Sequence, residues 1–214
     1  MKPSPLPVAV LVSGFGSNLQ ALMDATTDGR LHAEFRLVAS DRPDAPGLKR
    51  ARRAGLPTAA LPPDDYPDRA AWNAALSDAL CGSGAQLVVL AGFMRVLGAE
   101  LVHAWQGRML NIHPSLLPLY RGLHTHRRAL EAGDRTHGAS VHFVTEELDG
   151  GPVILQARVP ILAGDDEQAL AQRVQAREHE VYPQVVEWVA AGRLAWRDGE
   201  AWLDGRRLAD PVVV

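Results

Sequence analysis

The sequence predicts an α/β fold, a mostly parallel central sheet flanked by helices, with a C-terminal hairpin. Three observations predict it. Val8–Val12 and Leu87–Ala91 are compact apolar runs rich in β-branched residues and Leu, the pattern of strands buried on both faces. Each runs into a glycine-containing loop followed by a helical pattern, and such βα units recur along the chain. Near the C-terminus, Leu194–Trp196 and Ala201–Leu203 flank Arg197-Asp198-Gly199-Glu200, a hairpin signal.

The elements follow in order. After Val8–Val12, residues Leu19, Ala21, Leu22 and Met23 fall at helical spacing. Phe35–Ser40 reads as a second strand, and Pro43 and Pro46 lead into a helix from about Gly47 to Ala54 whose basic residues form a solvated face. Gly55 stops that helix, and Pro57–Leu61 is a short strand. Asp68 is a candidate N-cap for a helix through Leu80, broken by Gly82-Ser83-Gly84. A helix around Ala99–Trp105 precedes a strand ending at Asn111–His113, and His124–Glu131 reads as helix. Gly138–Val144 alternates as a half-buried strand should, and Val153–Val159 is another strand. Asp165 is placed to cap a long amphipathic helix through about Ala190.

Composition narrows the function classes. The chain has 214 residues, 47% hydrophobic and 22% charged, with a formal net charge of -3. That length can bury a sizeable core in one α/β domain, and the charge leaves no footprint for nucleic acid or an anionic membrane. One cysteine, Cys81, excludes an intramolecular disulfide framework and any multi-cysteine zinc site, which suits a reducing, cytoplasmic setting. Met1–Pro7 lacks the apolar stretch of a signal peptide, and no apolar run reaches the ~18 residues of a membrane span. His124-Thr125-His126 lacks partners at metal spacing, so no metal is expected.

Two stretches carry chemistry. Ser13-Gly14-Phe15-Gly16-Ser17-Asn18 joins a strand to a helix, the setting in which free backbone N–H groups and the helix dipole hold an anion. Gly14 and Gly16 allow close backbone approach, and Ser17 and Asn18 add donors or cap the helix. Leu19 stands where a dinucleotide fingerprint would need its third glycine, so a single phosphate is the better expectation. The second stretch is Asn111-Ile112-His113-Pro114-Ser115-Leu116-Leu117-Pro118. Asn111 and His113 are two residues apart, so an extended chain turns both to one face, and Pro114 forces the chain out of the sheet. An amide able to donate to an oxyanion and an imidazole able to move protons then share the mouth of a sheet.

Taken together with Leu90-Ala91-Gly92-Phe93-Met94-Arg95, Leu123-His124-Thr125-His126, His137-Gly138-Ala139-Ser140-Val141-His142-Phe143-Val144, Glu147-Leu148-Asp149-Gly150-Gly151-Pro152 and Gln175-Ala176-Arg177-Glu178-His179, these stretches resemble the folate-dependent phosphoribosylglycinamide formyltransferases. The resemblance covers about Val8 to Leu208. It implies a Rossmann-like formyltransferase fold in one domain, with a nucleotide-phosphate lobe to about residue 105 and a catalytic and folate lobe from about 106 to 214. It also implies transfer of a formyl group from 10-formyltetrahydrofolate to the amine of glycinamide ribonucleotide.

By the same resemblance, Asn111, His113 and Asp149 are the catalytic residues. Gly16, Ser17, Asn18, Gln175 and Glu178 would hold the nucleotide. Arg69, Met94, Arg95, Val96, Leu97, Asn111, Thr145, Glu146, Glu147, Leu148 and Asp149 would hold the folate. The chemistry accounts for the catalytic types: amine attack makes a negative oxygen for Asn111 to bind, and His113 suits proton exchange, with Asp149 favouring its charged form.

Phe15, Leu119 and Arg121 depart from the pattern, which bears on affinity rather than reaction type. Among relatives using the same chemistry, methionyl-tRNA formyltransferase would be expected to carry a further C-terminal nucleic-acid-binding domain and a basic balance, and formyltetrahydrofolate deformylase a further N-terminal domain. A non-catalytic nucleotide-binding module would not need the three catalytic residues together. The expected partners are small molecules, not nucleic acid or membrane, and the chain is expected to be a monomer or homodimer.

Overall fold

An eight-stranded sheet runs through the computed structural model, which describes residues 4–214. In chain order its first half comprises β1 (Leu6–Val12), α1 (Ser17–Thr27), β2 (Ala33–Ser40), α2 (Pro46–Arg53), β3 (Thr58–Ala60), α3 (Arg69–Gly82), β4 (Leu87–Leu90) and α4 (Ala99–Ala104). The second half comprises β5 (Met109–His113), α5 (Thr125–Glu131), β6 (Thr136–Phe143), β7 (Val153–Pro160) and α6 (Glu167–Ala190). Four short strands follow: β8 (Leu194–Arg197), β9 (Glu200–Leu203), β10 (Arg206–Arg207) and β11 (Val212–Val213). The sheet order is β11-β7-β6-β5-β4-β1-β2-β3. From β3 to β5 every pairing is parallel; β5–β6 and β6–β7 are antiparallel, and β11 adds parallel to β7.

The apolar runs bury both faces. Val8, Val10 and Val12 of β1 join a core with Leu19 and Leu22 of α1, Leu48 of α2 and Val174, Tyr182 and Val185 of α6. Ala9 and Leu11 point the other way, into a core with Trp72, Leu76 and Leu80 of α3 and Leu101 and Val102 of α4. Each fully buried Val or Leu contributes roughly 1.5–3 kcal/mol of transfer free energy. Asp68 caps α3 as expected, its side chain accepting from Ala71 N at 2.8 Å.

Because β1 is flanked by β2 on one side and β4 on the other, the chain reverses direction across the sheet between β1 and β4. The loops leaving these two strands diverge there and open a crevice at their C-terminal ends, the usual ligand position in such sheets. The two loops are tied together: Ser13 N donates to Gly92 O at 3.1 Å, and Met94 N donates to Ser13 Oγ at 2.9 Å.

Three expectations need correction. β6 is buried on both faces from His137 onward, not half-buried. Its apolar residues Ala139, Val141 and Phe143 join the α6 side of the core. The polar face is covered by the loop that Pro114 starts: Ser140 Oγ donates to Ser115 O (2.7 Å) and accepts from Leu117 N (3.0 Å), while Gln156 Nε2 donates to Leu117 O (2.7 Å). A polar strand face thus takes a hydrogen-bonding loop as its cover instead of water. The cap of α6 is Asp166, which accepts from Ala169 N, whereas Asp165 accepts from Leu162 N and pairs with Arg173 at 2.7 Å. The terminal hairpin is present as β8–β9, but β10 extends it to three strands, and β11 returns to the edge of the main sheet.

Candidate active site

The turn Ser13–Asn18, expected to hold a phosphate, is assembled by close backbone packing. Gly16 has φ +69°, and a Cβ there would stand 2.7 Å from Gly47 Cα at the start of α2. Gly47 N in turn donates to Gly14 O at 2.9 Å. Glycine is therefore required at 16 for conformation and for space. Asn18 and Ser17 do not cap α1, contrary to one of the expected roles. Asn18 Nδ2 donates to Glu178 Oε2 at 2.8 Å, and Ser17 Oγ accepts from Gln175 Nε2 at 3.1 Å. The N–H groups of the first helical turn are left free of side-chain caps and face the crevice.

Helix α6 supplies the opposite wall. Ala171, Gln175 and Glu178 lie along one stripe with Tyr182, whose buried hydroxyl sits 2.9 Å from Leu90 O at the end of β4 and 3.0 Å from Leu110 O within β5. That anchor sets the height of Glu178. Burial pushes the Glu178 carboxyl up, partly offset by the Asn18 hydrogen bond. All five residues expected to hold the nucleotide, Gly16, Ser17, Asn18, Gln175 and Glu178, line one cleft of about 630 Å³.

A second cavity of about 480 Å³ adjoins it and is lined by Asn111, His113 and Asp149 together. The antiparallel register sets Asn111 opposite His142 and His113 opposite Ser140. Asn111 Nδ2 lies 3.1 Å from His142 Nε2, and His142 Nδ1 lies 2.8 Å from Phe143 O. A carbonyl only accepts, so Nδ1 carries the His142 hydrogen and Nε2 accepts from Asn111. Burial lowers the His142 pKa to about 4, which keeps that ring neutral. The Asn111 amide is thereby fixed with one N–H spent on His142 and its second without a partner among the described residues.

His113 is held in the same way. Its Nε2 lies 2.9 Å from Tyr120 O, so that nitrogen is protonated, and its Nδ1 faces Asp149 Oδ2 at 3.4 Å. Asp149 Oδ2 also accepts from Gly122 N at 2.9 Å. Tyr120 and Asp149 both have left-handed backbones, φ 54° and 50°. Such conformations are costly for non-glycine residues, though Asp tolerates them best, and here they turn the Tyr120 carbonyl and the Asp149 carboxylate onto one imidazole.

A narrow slot of about 100 Å³ opens beside Asn111. Arg95, Val96, Leu97, Thr145, Glu146, Glu147, Leu148 and Asp149 line it, with Leu90, Phe93, Val102 and Val144 as apolar walls. Met94 is not part of the slot; it is 66% exposed and lines both the 630 Å³ cleft and the 480 Å³ cavity. Arg69 stands further out, lining an adjoining cavity of about 490 Å³ with Met94, Arg95 and Val96, its guanidinium 2.8 Å from Val96 O. The expected folate residues thus form a continuous path from Asn111 outward to Arg69.

Sequence reasoning did not assign roles to several lining residues. His126 borders both large cavities, and buried Asp41 holds Arg95 at 2.8 Å. The backbone groups of Tyr120 and Gly122 complete the cluster around His113 and Asp149. The alternation of β6 puts Ser140 and His142 on one face; the partner strand that sets Asn111 against His142 lies beyond the reach of that local pattern.

The chain matches the formyl transferase family model over residues 6–186. It is 53% identical over 201 residues to the phosphoribosylglycinamide formyltransferase of Escherichia coli, covering 94% of this chain and 95% of that one. The structure superposes on a phosphoribosylglycinamide formyltransferase from Coxiella burnetii with TM-score 0.94 and 49% identity, covering 98% of this chain and 99% of that one. A glycinamide ribonucleotide transformylase from Symbiobacterium toebii gives TM-score 0.91 and 44% identity, covering 94% and 95%. The chain belongs to the formyl transferase family, among its phosphoribosylglycinamide formyltransferases.

Proposed function

We propose that this chain transfers the formyl group of 10-formyltetrahydrofolate to the amino group of N1-(5-phospho-D-ribosyl)glycinamide. The products are the N-formyl compound and tetrahydrofolate, as a step of purine synthesis in the cytoplasm. The observation that carries this reading is the position of Asn111, His113 and Asp149. They stand where a cleft with a phosphate-type turn meets an apolar slot able to take a flat ring.

The roles follow from the geometry. The cleft begins at the uncapped N-terminus of α1, which suits a phosphate, and Glu178 accepts from ribose hydroxyls. Phe93, Leu97, Val102 and Leu148 enclose the pterin of the donor, and Arg69 meets its acidic tail. The free N–H of Asn111 stabilises the oxygen that becomes negative when the amine attacks; a single donor of this kind is worth roughly 3–4 kcal/mol in the transition state. His113, with Nε2 locked on Tyr120 O, has only Nδ1 left to exchange a proton, and Asp149 is the counter-charge at that atom. The amide, the imidazole and the carboxylate hold positions set by backbone groups, so little reorganisation is needed as charge develops.

The test is formyl transfer by the purified protein, followed by the absorbance of the folate product. It is run with glycinamide ribonucleotide, with initiator methionyl-tRNA and with water as sole acceptor, beside a His113→Ala control. Turnover with glycinamide ribonucleotide alone, lost in the control, is the expected result. Turnover with tRNA or water instead would keep the donor chemistry and overturn the acceptor.

A further inference from the structure

The nucleotide cleft and the catalytic cavity share Gly92, Met94, Arg95, Ile112, Pro114 and His126. On the function proposed above, a glycinamide arm reaching from a phosphate at Gly16–Asn18 to Asn111 must run along this common wall. Four of the six residues have no ionisable side chain, and Arg95 is a permanent cation paired with Asp41. His126 is the one proton acceptor there.

Its tautomer is set from behind. His137, 1% exposed, donates to the backbone of Pro114 through one ring nitrogen, and its other nitrogen, Nε2, lies 3.2 Å from His126 Nδ1. The His137 Nε2 is therefore an acceptor, and His126 Nδ1 must carry the hydrogen between them. The two rings meet edge to face, centroids 5.2 Å apart. His126 Nε2 is left with a lone pair and no hydrogen-bond partner among the described residues. Burial lowers the His126 pKa, which favours the neutral, proton-accepting ring. The neighbouring His113 has Nε2 committed to Tyr120 O, which leaves Nδ1, beside Asp149, to supply the proton that the donor nitrogen gains.

We propose that His126 is a further catalytic residue, the general base that takes the proton lost by the attacking amine. The new bond forms between the amine nitrogen and the formyl carbon, and the carbonyl π pair moves onto the oxygen held by Asn111. One N–H proton passes from that nitrogen to His126 Nε2. As the oxygen's electron pair re-forms the carbonyl, the bond from the carbon to the donor nitrogen breaks; its electron pair stays on that nitrogen, which takes one proton from His113 Nδ1. One N–H is lost by the acceptor and one is gained by the donor, so the step balances. His137 and the Pro114 carbonyl act as positioning groups that keep the accepting lone pair on the substrate side.

The test compares wild type, His126→Gln and His126→Ala with glycinamide ribonucleotide, with and without added imidazole. General-base catalysis contributes about 10²–10⁴-fold. The expected result is therefore a loss of about 10²–10³-fold in kcat for both variants, KM for the nucleotide within about threefold, and partial rescue of the alanine variant by imidazole. A kcat within about threefold of wild type, a loss confined to KM, or a folded alanine variant that imidazole does not rescue would each overturn the assignment. If the alanine variant does not fold, the split between kcat and KM in the glutamine variant decides. Absence of transfer in the wild-type arm would instead sink the function proposed for the site.

Discussion

The two halves of the site are built by different means. The proposed phosphate turn is made of backbone: a left-handed Gly16 set against Gly47, and helix N–H groups left uncapped, all within one βα unit and the helix α2. The proposed catalytic half is made of side chains from separate segments. Asn111 and His113 come from β5, His142 from β6 and Asp149 from the loop before β7, with Tyr120 and Gly122 supplying backbone partners. A backbone site depends on space and dihedral angle, whereas a side-chain site depends on which hydrogen sits on which atom.

That difference predicts where each half breaks. The largest effect is expected from Asp149→Asn, which keeps the size of the side chain and an acceptor for Gly122 N but removes the charge facing His113 Nδ1. A fall of about 10³-fold in kcat is expected, by comparison with other removals of an acid–base partner, with the melting temperature changed by only a few degrees. A kcat within tenfold of wild type would mean that His113 works without its counter-charge. Gly16→Ala should show the opposite profile. Its Cβ would meet Gly47 Cα at 2.7 Å at a φ of +69°, a strain of roughly 1–3 kcal/mol. The melting temperature and the nucleotide KM should suffer while the folate KM holds. An alanine variant with wild-type nucleotide KM would show that the turn does not hold the phosphate.

The same contrast explains what the sequence could disclose. The glycine turn after β1, β1 itself, β4 and the Asp68 cap all follow from neighbours within a few residues, where side-chain period and capping chemistry act directly. Asn111 and His113 could be assigned to one face for the same reason. Their partners could not, because the Asn111–His142 register joins residues 31 apart and is settled only when β6 docks. Resemblance to the family supplied Asp149, which local spacing reads as a turn residue. Asp165 and Asp166 show the limit at its smallest: both can cap α6, and the choice falls to a distant contact, Arg173 drawing Asp165 aside. The short strands β10 and β11 had no pattern of their own, being held by their neighbours in the sheets.

Acid should separate the two halves. His137 and His142, both on β6, have pKa values lowered from 6.5 to about 4, chiefly by burial. Between those values the unfolded chain binds more protons than the folded one, so their stabilisation is complete above about 6.5 and drains as pH falls toward 4. Glu178 in the nucleotide cleft shifts the other way: its folded carboxyl is raised above 4.5, so in the window just above that value folding gains as pH falls. The expected outcome is a lower melting temperature at pH 5 than at pH 7, with amide exchange protection lost first along β5 and β6. Loss beginning instead at β1 and α1 would contradict the assignment of the acid-sensitive groups.

The smallest effect is expected at Phe15, the residue that departs most visibly from the phosphate-turn pattern. Its side chain is 77% exposed, while its backbone carbonyl accepts from Arg50 Nε at 2.9 Å. The turn therefore uses the main chain of Phe15, not its ring, and any residue able to hold the same φ and ψ should serve. Phe15→Asn should leave kcat unchanged and move the nucleotide KM by no more than about twofold, in line with the small cost of most exposed substitutions. A tenfold change would place the ring against the substrate and give the phosphate half a side-chain determinant of its own. With such a determinant, the division between a backbone-built and a side-chain-built half would no longer hold.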